Sequence, residues 1–303
     1  MGLVEKTFRN GEVIIKEGDS GKSFFLIEEG SAFVYAGSGK EDQVKLAVLE
    51  AGEFFGEMSI LEAYPRSATI VAKGNVTAVE IPGDEMNAFF EEHPEMIIEL
   101  IRHLVNRVQA METDYNESKV LLEQLRASDS AKKNQSLFSK IKKHIDMYQS
   151  NKNKMNEPSE ESRRKAFEGF KDDGTGKLKE YRKGMIVHKE GAVDNCMYIL
   201  HSGRICFYTG YRTRDENKTG EIEAVTFFGE MGMLAEEPRS ATAVAEADKT
   251  VVEFICPEDL ETVFRSCPAK IEMILRQLSY RLRRLNIDFL STCKEITEIY
   301  NRK

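Results

Sequence analysis

Apolar residues in this chain follow two different periods, and the period changes at the same point in each half. The first half contains short apolar runs separated by glycines: "SFFLIEEG", "SAFVYAG", "KLAVL", "SATIVA" and "VTAVEI". The second half contains the similar runs "CMYILHSG", "RICFYTG", "SATAVA" and "TVVEFI". Runs of this length between glycine turns predict antiparallel strands and hairpins. Each half is therefore predicted to form a small sandwich or barrel.

After each set of strands the apolar residues recur in steps of three and four, which is typical of a long α-helix with one apolar seam. Ser118 and Thr292 each take one polar position in their seam. Such a seam packs either on its own domain core or on another helix, and over four heptads we favour the helix–helix interface. The apolar seam positions are Ile97, Ile101, Leu104, Val108, Met111, Tyr115, Leu122 and Leu125 in the first half, and Ile271, Leu275, Leu278, Leu282, Leu285, Phe289, Ile296 and Ile299 in the second.

The two halves are copies of one another at an offset of 173 residues. "FFGEMSILEAYPRSAT" (54–69) and "FFGEMGMLAEEPRSAT" (227–242) are identical at eleven of sixteen positions, and Gly30 pairs with Gly203 at the same offset. We therefore predict a first domain with its long helix over 1–125 and a second over 178–303. The intervening 126–177 is predicted to be a partly basic linker with a helix, indicated by Leu137, Phe138, Ile141, Ile145 and Tyr148.

Length and charge narrow the class of protein. A chain of 303 residues fits about two domains of ~150, and its net charge is −8. An acidic chain is a poor partner for nucleic acid, so no direct DNA binding is expected. Residues 126–156 carry a basic excess, with eight basic and two acidic residues. These lysines and arginine either contact an acidic surface or form a solvated face, and we favour the solvated face. No apolar run reaches the ~18 residues of a membrane helix, and the first residues lack a signal core. We expect a cytoplasmic protein without membrane contact.

Cysteine and histidine spacing predicts neither a disulfide framework nor a metal site. The five cysteines are odd in number and form no C-x-x-C pair, so reduced, mostly buried thiols are expected. The five histidines show no paired-ligand spacing, so no metal and no cofactor are expected. The cysteines are Cys196, Cys206, Cys256, Cys267 and Cys293.

The repeated cassette carries the groups that a small anionic ligand with a hydroxyl needs. A glycine before Glu57 lets the backbone approach a ligand, and the ionised carboxylate accepts hydrogen bonds from a hydroxyl. The following stretch predicts a short helical turn with free N–H groups, and Arg66 supplies a permanent cation for oxygen anions. A sugar phosphate is the simplest ligand with this chemistry.

These residues resemble the phosphate-binding cassette of the cyclic nucleotide-binding domain, as found in the catabolite activator protein and the regulatory subunit of cyclic-AMP-dependent protein kinase. The cassette F-G-E-[LM]-[AGS]-x-L followed by P-R-[AST]-A occurs here twice, and the resemblance covers about 8–125 and 178–300. It implies that Glu57 and Glu230 hold the ribose 2′-hydroxyl, and that Arg66 and Arg239 bind the exocyclic phosphate oxygens. The implied residues are Gly56, Glu57, Met58, Ser59, Arg66, Ser67 and Ala68 in site 1, and Gly229, Glu230, Met231, Gly232, Arg239, Ser240 and Ala241 in site 2.

The resemblance implies an α+β, mostly β protein with two tandem jelly-roll-like β-rolls, each followed by a long C-terminal helix. It implies a cyclic nucleotide receptor with two sites, no catalytic residues and an unidentified effector protein as partner. The ligand is a cyclic mononucleotide, with cAMP favoured, although the cassettes do not distinguish cAMP from cGMP. Tyr115 and Phe289 on the long helices are candidates to cap the base. The alternative is an interaction scaffold whose folds no longer bind nucleotide.

The duplication suggests an arrangement for the long helices. In the resembled family two subunits pair through parallel helices, and this chain has two such seams of its own. A helix over 96–125 is about 45 Å long, and the linker helix returns about 30 Å of that distance. We expect a pseudo-twofold monomer with the seams packed in parallel; the alternative is a homodimer formed by either helix. The expected contacts join Ile101, Leu104, Val108 and Met111 to Leu275, Leu278, Leu282 and Leu285.

Overall fold

The chain folds into two compact units. In the computed structural model, unit 1 comprises residues 1–89, 107–163 and 279–303, and unit 2 comprises 90–106 and 164–278. The predicted boundaries at 125 and 178 stay a prediction. The structure describes residues 4–36, 44–62, 65–127, 135–151, 160–161, 164, 176–234 and 238–302.

Unit 1 contains an antiparallel β-roll built around two strands of fourteen residues each, β3 and β6. The sheet has the strand order β1-β6-β3-β4, with β2 added to β6 and β5 added to β3. Its inward side chains form one core that includes Ile15, Phe25, Phe55 and Ile70. The strands are β1 Val4–Phe8, β2 Val13–Ile15, β3 Ser23–Ala36, β4 Val44–Glu50, β5 Phe54–Phe55 and β6 Thr69–Pro82.

Unit 2 repeats this roll as two four-stranded sheets. Their strand orders are β11-β10-β13-β8 and β12-β9-β14-β7. Between them lies a core with Tyr181, Tyr198, Leu200 and Phe228. The strands are β7 Lys177–Tyr181, β8 Ile186–His188, β9 Met197–Ser202, β10 Arg204–Thr209, β11 Asn217–Glu223, β12 Thr226–Phe228, β13 Thr242–Ala245 and β14 Thr250–Ile255.

A glycine marks the same bend in both rolls. Gly30, within β3, and Gly203, between β9 and β10, have φ of +87° and +89°. A β-carbon on Gly30 would collide with the carbonyl of Asn75, so only glycine fits there. The bend turns one long strand from one face of the roll to the other, and in unit 2 it divides that strand in two.

Helices follow each roll as the sequence predicts. The helices are α1 Glu57–Glu62, α2 Met86–Glu92, α3 Glu95–Ala127, α4 Gln135–Asn151, α5 Glu230–Leu234, α6 Leu260–Ser266 and α7 Pro268–Arg302, with 3₁₀ turns at Gly83–Glu85 and Pro257–Asp259. The predicted fold class, two tandem β-rolls each followed by a long helix, is confirmed. Within the described ranges, no helix is both long enough and apolar enough to cross a bilayer.

Within unit 1, α3 and α7 run parallel. Glu112 pairs with Arg281, and Arg126 pairs with Glu295, both at 2.6 Å between nitrogen and oxygen. The second pair lies fourteen residues further along each helix, so the chain directions agree.

The linker helix α4 lies against α3 in the opposite direction. Its Ile141 packs with Leu121 and Leu125 near the end of α3. Further along α4, Lys143 pairs with Asp114, which lies earlier on α3, and Tyr148 packs against the same cluster as Met111. The predicted linker helix is therefore present. The side chains of Leu137 and Phe138, which helped to predict it, lie outside the described part of the chain.

The expectation that all cysteines are reduced is wrong, because Cys196 and Cys256 form a disulfide. They are 60 residues apart in sequence, and their Cα atoms are 4.2 Å apart. Cys196 immediately precedes β9, and Cys256 immediately follows β14. These strands pair with Met197 opposite Ile255, so the register brings the two cysteines together. Sequence spacing carries no signal for such a cross-strand pair. Cys206, Cys267 and Cys293 are free thiols.

Candidate functional site

Site 1 begins where β5 ends. Gly56 follows β5 with φ of +81°, and a β-carbon there would lie 2.5 Å from Nη1 of Arg66 and 2.9 Å from Ile15. Glycine therefore allows the arginine to lie against the backbone. Helix α1 begins at Glu57, and Met58 lies in its first turn.

Arg66 is buried, with 7% of its surface exposed. Its Nη1 donates to the carbonyl of Gly56 and to Oγ of Ser59, both at 2.7 Å, and its Nη2 donates to the carbonyl of Ser23. Burial lowers the pKa of Arg66, an effect that the nearby carboxylate of Glu57 opposes. The guanidinium is thus a fixed cation inside the fold, held mainly by neutral acceptors.

Glu57 is 2% exposed and has a cationic partner on α3. Nη1 of Arg107 donates to Oε1 of Glu57 at 2.7 Å. This contact was not predicted, because it joins a cassette to a helix residue 50 positions away. The aligned residue of α7, Arg281, pairs instead with Glu112.

Site 2 has the same backbone frame. Gly229 has φ of +78°, and α5 begins at Glu230, which is 3% exposed. The amide of Arg239 donates to the carbonyl of Ala192 at 2.9 Å, and its carbonyl accepts from the amide of Gly191 at 2.8 Å. Arg66 makes the equivalent pair of backbone hydrogen bonds with Asp19 and Gly18 in site 1.

The side-chain partner of the arginine differs between the sites. Nε of Arg239 donates to Oδ2 of Asp194 at 3.0 Å, and Nη2 donates to its Oδ1 and to the carbonyl of Cys196. Burial alone would raise the pKa of Asp194, but the hydrogen bonds and charge of Arg239 outweigh it, and the pKa is lowered. Gly21 holds the equivalent position in site 1. Asp194 was not predicted. The signal that could have found it is the alignment of the two halves, in which this carboxylate stands where the first half has Gly21.

Aromatic side chains surround Arg239. The rings of His188 and Tyr198 stack at 5.5 Å, and the guanidinium of Arg239 lies 5.1 Å from the centre of Tyr198. Burial, and secondarily the charge of Arg239, lowers the pKa of His188 to about 4. Burial raises the pKa of Tyr198 to about 12. Ile15 and Phe25 hold the equivalent positions in site 1.

Both β-rolls match one protein family. The sequence model of the cyclic nucleotide-binding domain matches residues 5–93 and again 178–267. These matches cover more than half of the chain, and each contains one cassette. The chain belongs to the cyclic nucleotide-binding domain family. Two such domains make up most of its length.

Relatives of this member of the family include kinases and kinase regulatory subunits. It is 23% identical over 256 residues to a cGMP-dependent protein kinase of Plasmodium berghei, a match that covers 84% of this chain and 23% of the kinase. It is 22% identical over 282 residues to a cAMP-dependent protein kinase regulatory subunit of Dictyostelium discoideum, covering 92% and 69%. The chain thus spans less than a quarter of the Plasmodium kinase.

Among solved structures, cAMP-bound PfPKA-R is similar at 18% identity, with a TM-score of 0.38 and coverage of 88% of this chain and 76% of that one. The regulatory domain of Toxoplasma gondii PKA with cAMP is 16% identical, with a TM-score of 0.28 and coverage of 89% and 82%.

The remaining predicted site residues are near the two arginines or the two glutamates in sequence. Ser67 and Ser240 follow them in sequence and are exposed. Ala241 is buried and Ala68 is half-buried, as is Met231. A β-carbon on Gly232 would lie 2.6 Å from Nη1 of Arg239, at the position where site 1 has Ser59. The structure thus brings Gly56 and Ser59 to Arg66, and Gly229 and Gly232 to Arg239.

The two candidate base caps lie among helices of unit 1. Phe289 is 1% exposed and packs with Leu290, and its ring lies 5.9 Å from that of His144. Tyr115 is half-buried in the same cluster, with Nζ of Lys119 4.5 Å from its ring centre. Stacking on a base would need an exposed ring face, which Phe289 lacks in this conformation. Their capping role stays a prediction.

Proposed function

We propose that both domains bind a cyclic mononucleotide and that the chain acts as a two-site receptor for it. The observation that carries the proposal is a buried arginine and a buried glutamate in each cassette, with Arg66, Arg239, Glu57 and Glu230 all below 8% exposed. Burying charges costs several kcal/mol unless they are compensated. A ligand that carries one anion and one hydroxyl suits both groups at once.

Each side chain has one role in this proposal. Glu57 and Glu230 accept a hydrogen bond from the ribose 2′-hydroxyl, and Arg66 and Arg239 pair with the exocyclic oxygens of the cyclic phosphate. Backbone amides at the start of α1 and α5 lie beside the same phosphate. We favour cAMP because relatives of this chain include regulatory subunits of cAMP-dependent protein kinase.

Binding, and not catalysis, is the proposed activity. Relatives of this chain include regulatory subunits of cAMP-dependent protein kinase, and an effector protein is proposed to receive the signal here too. We propose no direct contact with DNA, since the chain has a net charge of −8. The competing proposal, an interaction scaffold, rests on the helix packing alone and requires no ligand.

The cationic contact is tested by removing each arginine. Arg66→Ala and Arg239→Ala should each abolish one of two sites in a cAMP titration by calorimetry. Removing the charge-assisted contact to the phosphate should weaken the binding free energy by roughly 1.5–3 kcal/mol or more. Arg9→Ala, which changes an exposed arginine, should keep both sites. Two unchanged sites in both single variants would contradict the assignment.

The scaffold alternative is tested by thermal unfolding. A ligand at 100 times its Kd stabilises the folded protein by about 2.7 kcal/mol, so no shift of the melting temperature with any cyclic mononucleotide would favour the scaffold.

We further propose that the long helices form their interface within one chain. The parallel ion pairs of α3 and α7 support this, as does the burial of seam residues Leu104, Val108, Leu278 and Leu282. Met111 and Leu285 are half-buried. Nucleotide at one site would then bias the other through these helices.

A further inference from the structure

The disulfide lies at the edge of site 2 and has no counterpart in site 1. Cys196 and Cys256 join the first residue before β9 to the first residue after β14. In the first β-roll the equivalent positions are Ser23 and Pro82, which face each other across the sheet and cannot be cross-linked. Any chemistry at this pair therefore acts on one of the two sites.

One end of the cross-link holds the arginine of site 2. The carbonyl of Cys196 accepts from Nη2 of Arg239, and Asp194, two residues earlier, accepts from Nε and Nη2. Residues 194–196 thus occupy the guanidinium with one carboxylate and one carbonyl. A phosphate that binds Arg239 must compete with this carboxylate.

The other end of the disulfide, Cys256, lies at the start of the helical region that follows β14. The amide of Cys256 donates to Oδ2 of Asp259 at 3.1 Å, at the beginning of the 3₁₀ turn that leads into α6. Asp259 in turn pairs with Lys177 at 2.9 Å. The disulfide therefore fixes the arginine-holding segment to a point that is itself anchored.

We propose that Cys196–Cys256 is a thiol–disulfide site that controls ligand affinity at site 2. This rests on the proposed function only for the identity of the ligand. A dithiol reductant transfers two electrons and two protons to the disulfide: the S–S bond breaks, two protein thiols form, and the reductant becomes a disulfide. Exchange needs access for the attacking thiolate, and both cysteines are half-buried.

The direction of control follows from competition for one cation. While the disulfide is intact, it restrains residues 194–196. This restraint keeps the effective concentration of the Asp194 carboxylate at Arg239 high. Reduction removes this restraint and lowers the effective concentration of the carboxylate. A phosphate then competes better with Asp194 for Arg239. The reduced form should bind the nucleotide about three- to tenfold more tightly at site 2, while site 1 stays unchanged.

The cross-link itself is tested without any nucleotide. Denatured protein should show three free thiols when oxidised and five after dithiothreitol, and non-reducing peptide maps should join Cys196 to Cys256. Hydrogen–deuterium exchange of peptide 192–199 should increase on reduction, whereas the equivalent peptide 19–26 should not change. Five thiols after exposure to an oxidised dithiol, or exchange that is indifferent to reduction, would overturn the proposal.

Affinity is tested with cAMP in an Arg66→Ala background, so that only site 2 is read. Reduction and Cys196→Ser, which introduces the residue found at Ser23, should raise the affinity to the same value. Asp194→Asn should raise it and abolish the response to reductant, while Cys206→Ser, at a buried free thiol, should keep the response. A difference below twofold between redox states contradicts the proposal. If the unaltered chain binds no cAMP in either the oxidised or the reduced form, the proposed function is contradicted instead. The thiol counts and the hydrogen–deuterium exchange would then still show whether the disulfide forms and restrains residues 192–199.

Discussion

Single residues make the two sites chemically different although their cassettes are nearly identical. Arg66 is held by a serine hydroxyl and two carbonyls, whereas Arg239 is held by the carboxylate of Asp194. Gly21 and Ser59 in site 1 correspond to Asp194 and Gly232 in site 2. The cation of site 1 is thus available to an anion, and that of site 2 already has one. Site 1 is therefore expected to be the stronger site.

His188 should make folding of the second domain sensitive to acid. The folded protein keeps it neutral down to about pH 4, whereas the unfolded chain protonates near its ordinary pKa of 6.5. The unfolded state thus binds more protons between these values, so this stability is complete above pH 6.5 and is lost as the pH falls towards 4. The loss is about 3 kcal/mol. His188→Ile, which introduces the residue at Ile15, should flatten the dependence of urea unfolding on pH in this window. An equal slope in both proteins would contradict the assignment.

Glu253 should be needed for stability because its ion-pair partner is buried with it. It is fully buried, and its two oxygens contact Lys270 at 2.9 Å and His201 at 2.7 Å. Glu253→Gln removes the anion from a lysine that is 1% exposed, which should cost about 3 kcal/mol in urea unfolding. The matched control is Glu80→Gln, whose partner Lys6 is 45% exposed, with an expected cost below about 1 kcal/mol. Equal costs would show that burial of the ion pair is not the cause.

At the scale of elements, the long strands of the first domain depend on a bend that only glycine permits. β3 pairs with β6 on both sides of Gly30, and the register shifts where the strand bends. The same bend at Gly203 separates β9 from β10. Because the bend directs both halves of the strand into one roll, it also brings the carbonyl of Ser23 to the arginine of site 1.

Gly30→Ala should therefore destabilise the first domain more than Gly74→Ala. Both glycines have positive φ, at +87° and +78°, so each substitution carries a backbone cost of about 1–2 kcal/mol. At Gly30 the new β-carbon also meets the backbone of Asn75, whereas at Gly74 it meets nothing within 4 Å. We expect a total of about 2–4 kcal/mol for Gly30→Ala in chemical unfolding. A cost no larger than that of Gly74→Ala would mean that the sheet shifts to admit the methyl group.

At the scale of the whole molecule, we propose that α3 and α7 form their helix pair within one chain. Their parallel direction lets the C-terminal halves of both helices and α4 form one cluster in unit 1. A chain that satisfies its own seam has little apolar helix surface left for a second copy. The duplication of the domain is then what makes the helix pair possible within one chain.

Light scattering after gel filtration should give the mass of one chain, 34.5 kDa. Leu104→Asp together with Val108→Asp should lower the midpoint of unfolding without changing that mass, because both residues are fully buried in the seam. A mass of twice 34.5 kDa that falls to one chain in this variant would show that the seam joins two molecules. Arg102→Asp, at a half-exposed position of the same helix, is the control and should change neither quantity.

Local pattern was sufficient to predict the repeat, the strands, the long helices and the cassettes. Strand and helix periods depend on residues that are neighbours in sequence, and a motif repeated at a fixed offset needs no long-range information. The predicted family and fold class are confirmed on this basis.

Only the tertiary structure decided what lies opposite each cassette. Arg107 reaches Glu57 across 50 residues, Asp194 reaches Arg239 across 45, and Cys196 reaches Cys256 across 60. Each contact depends on strand register or on the rotation of a helix about its axis, and neither quantity is written in the local sequence. The sequence thus determined two equivalent cassettes, and tertiary packing made them different, because the partner of a buried charge is whichever side chain the fold places beside it.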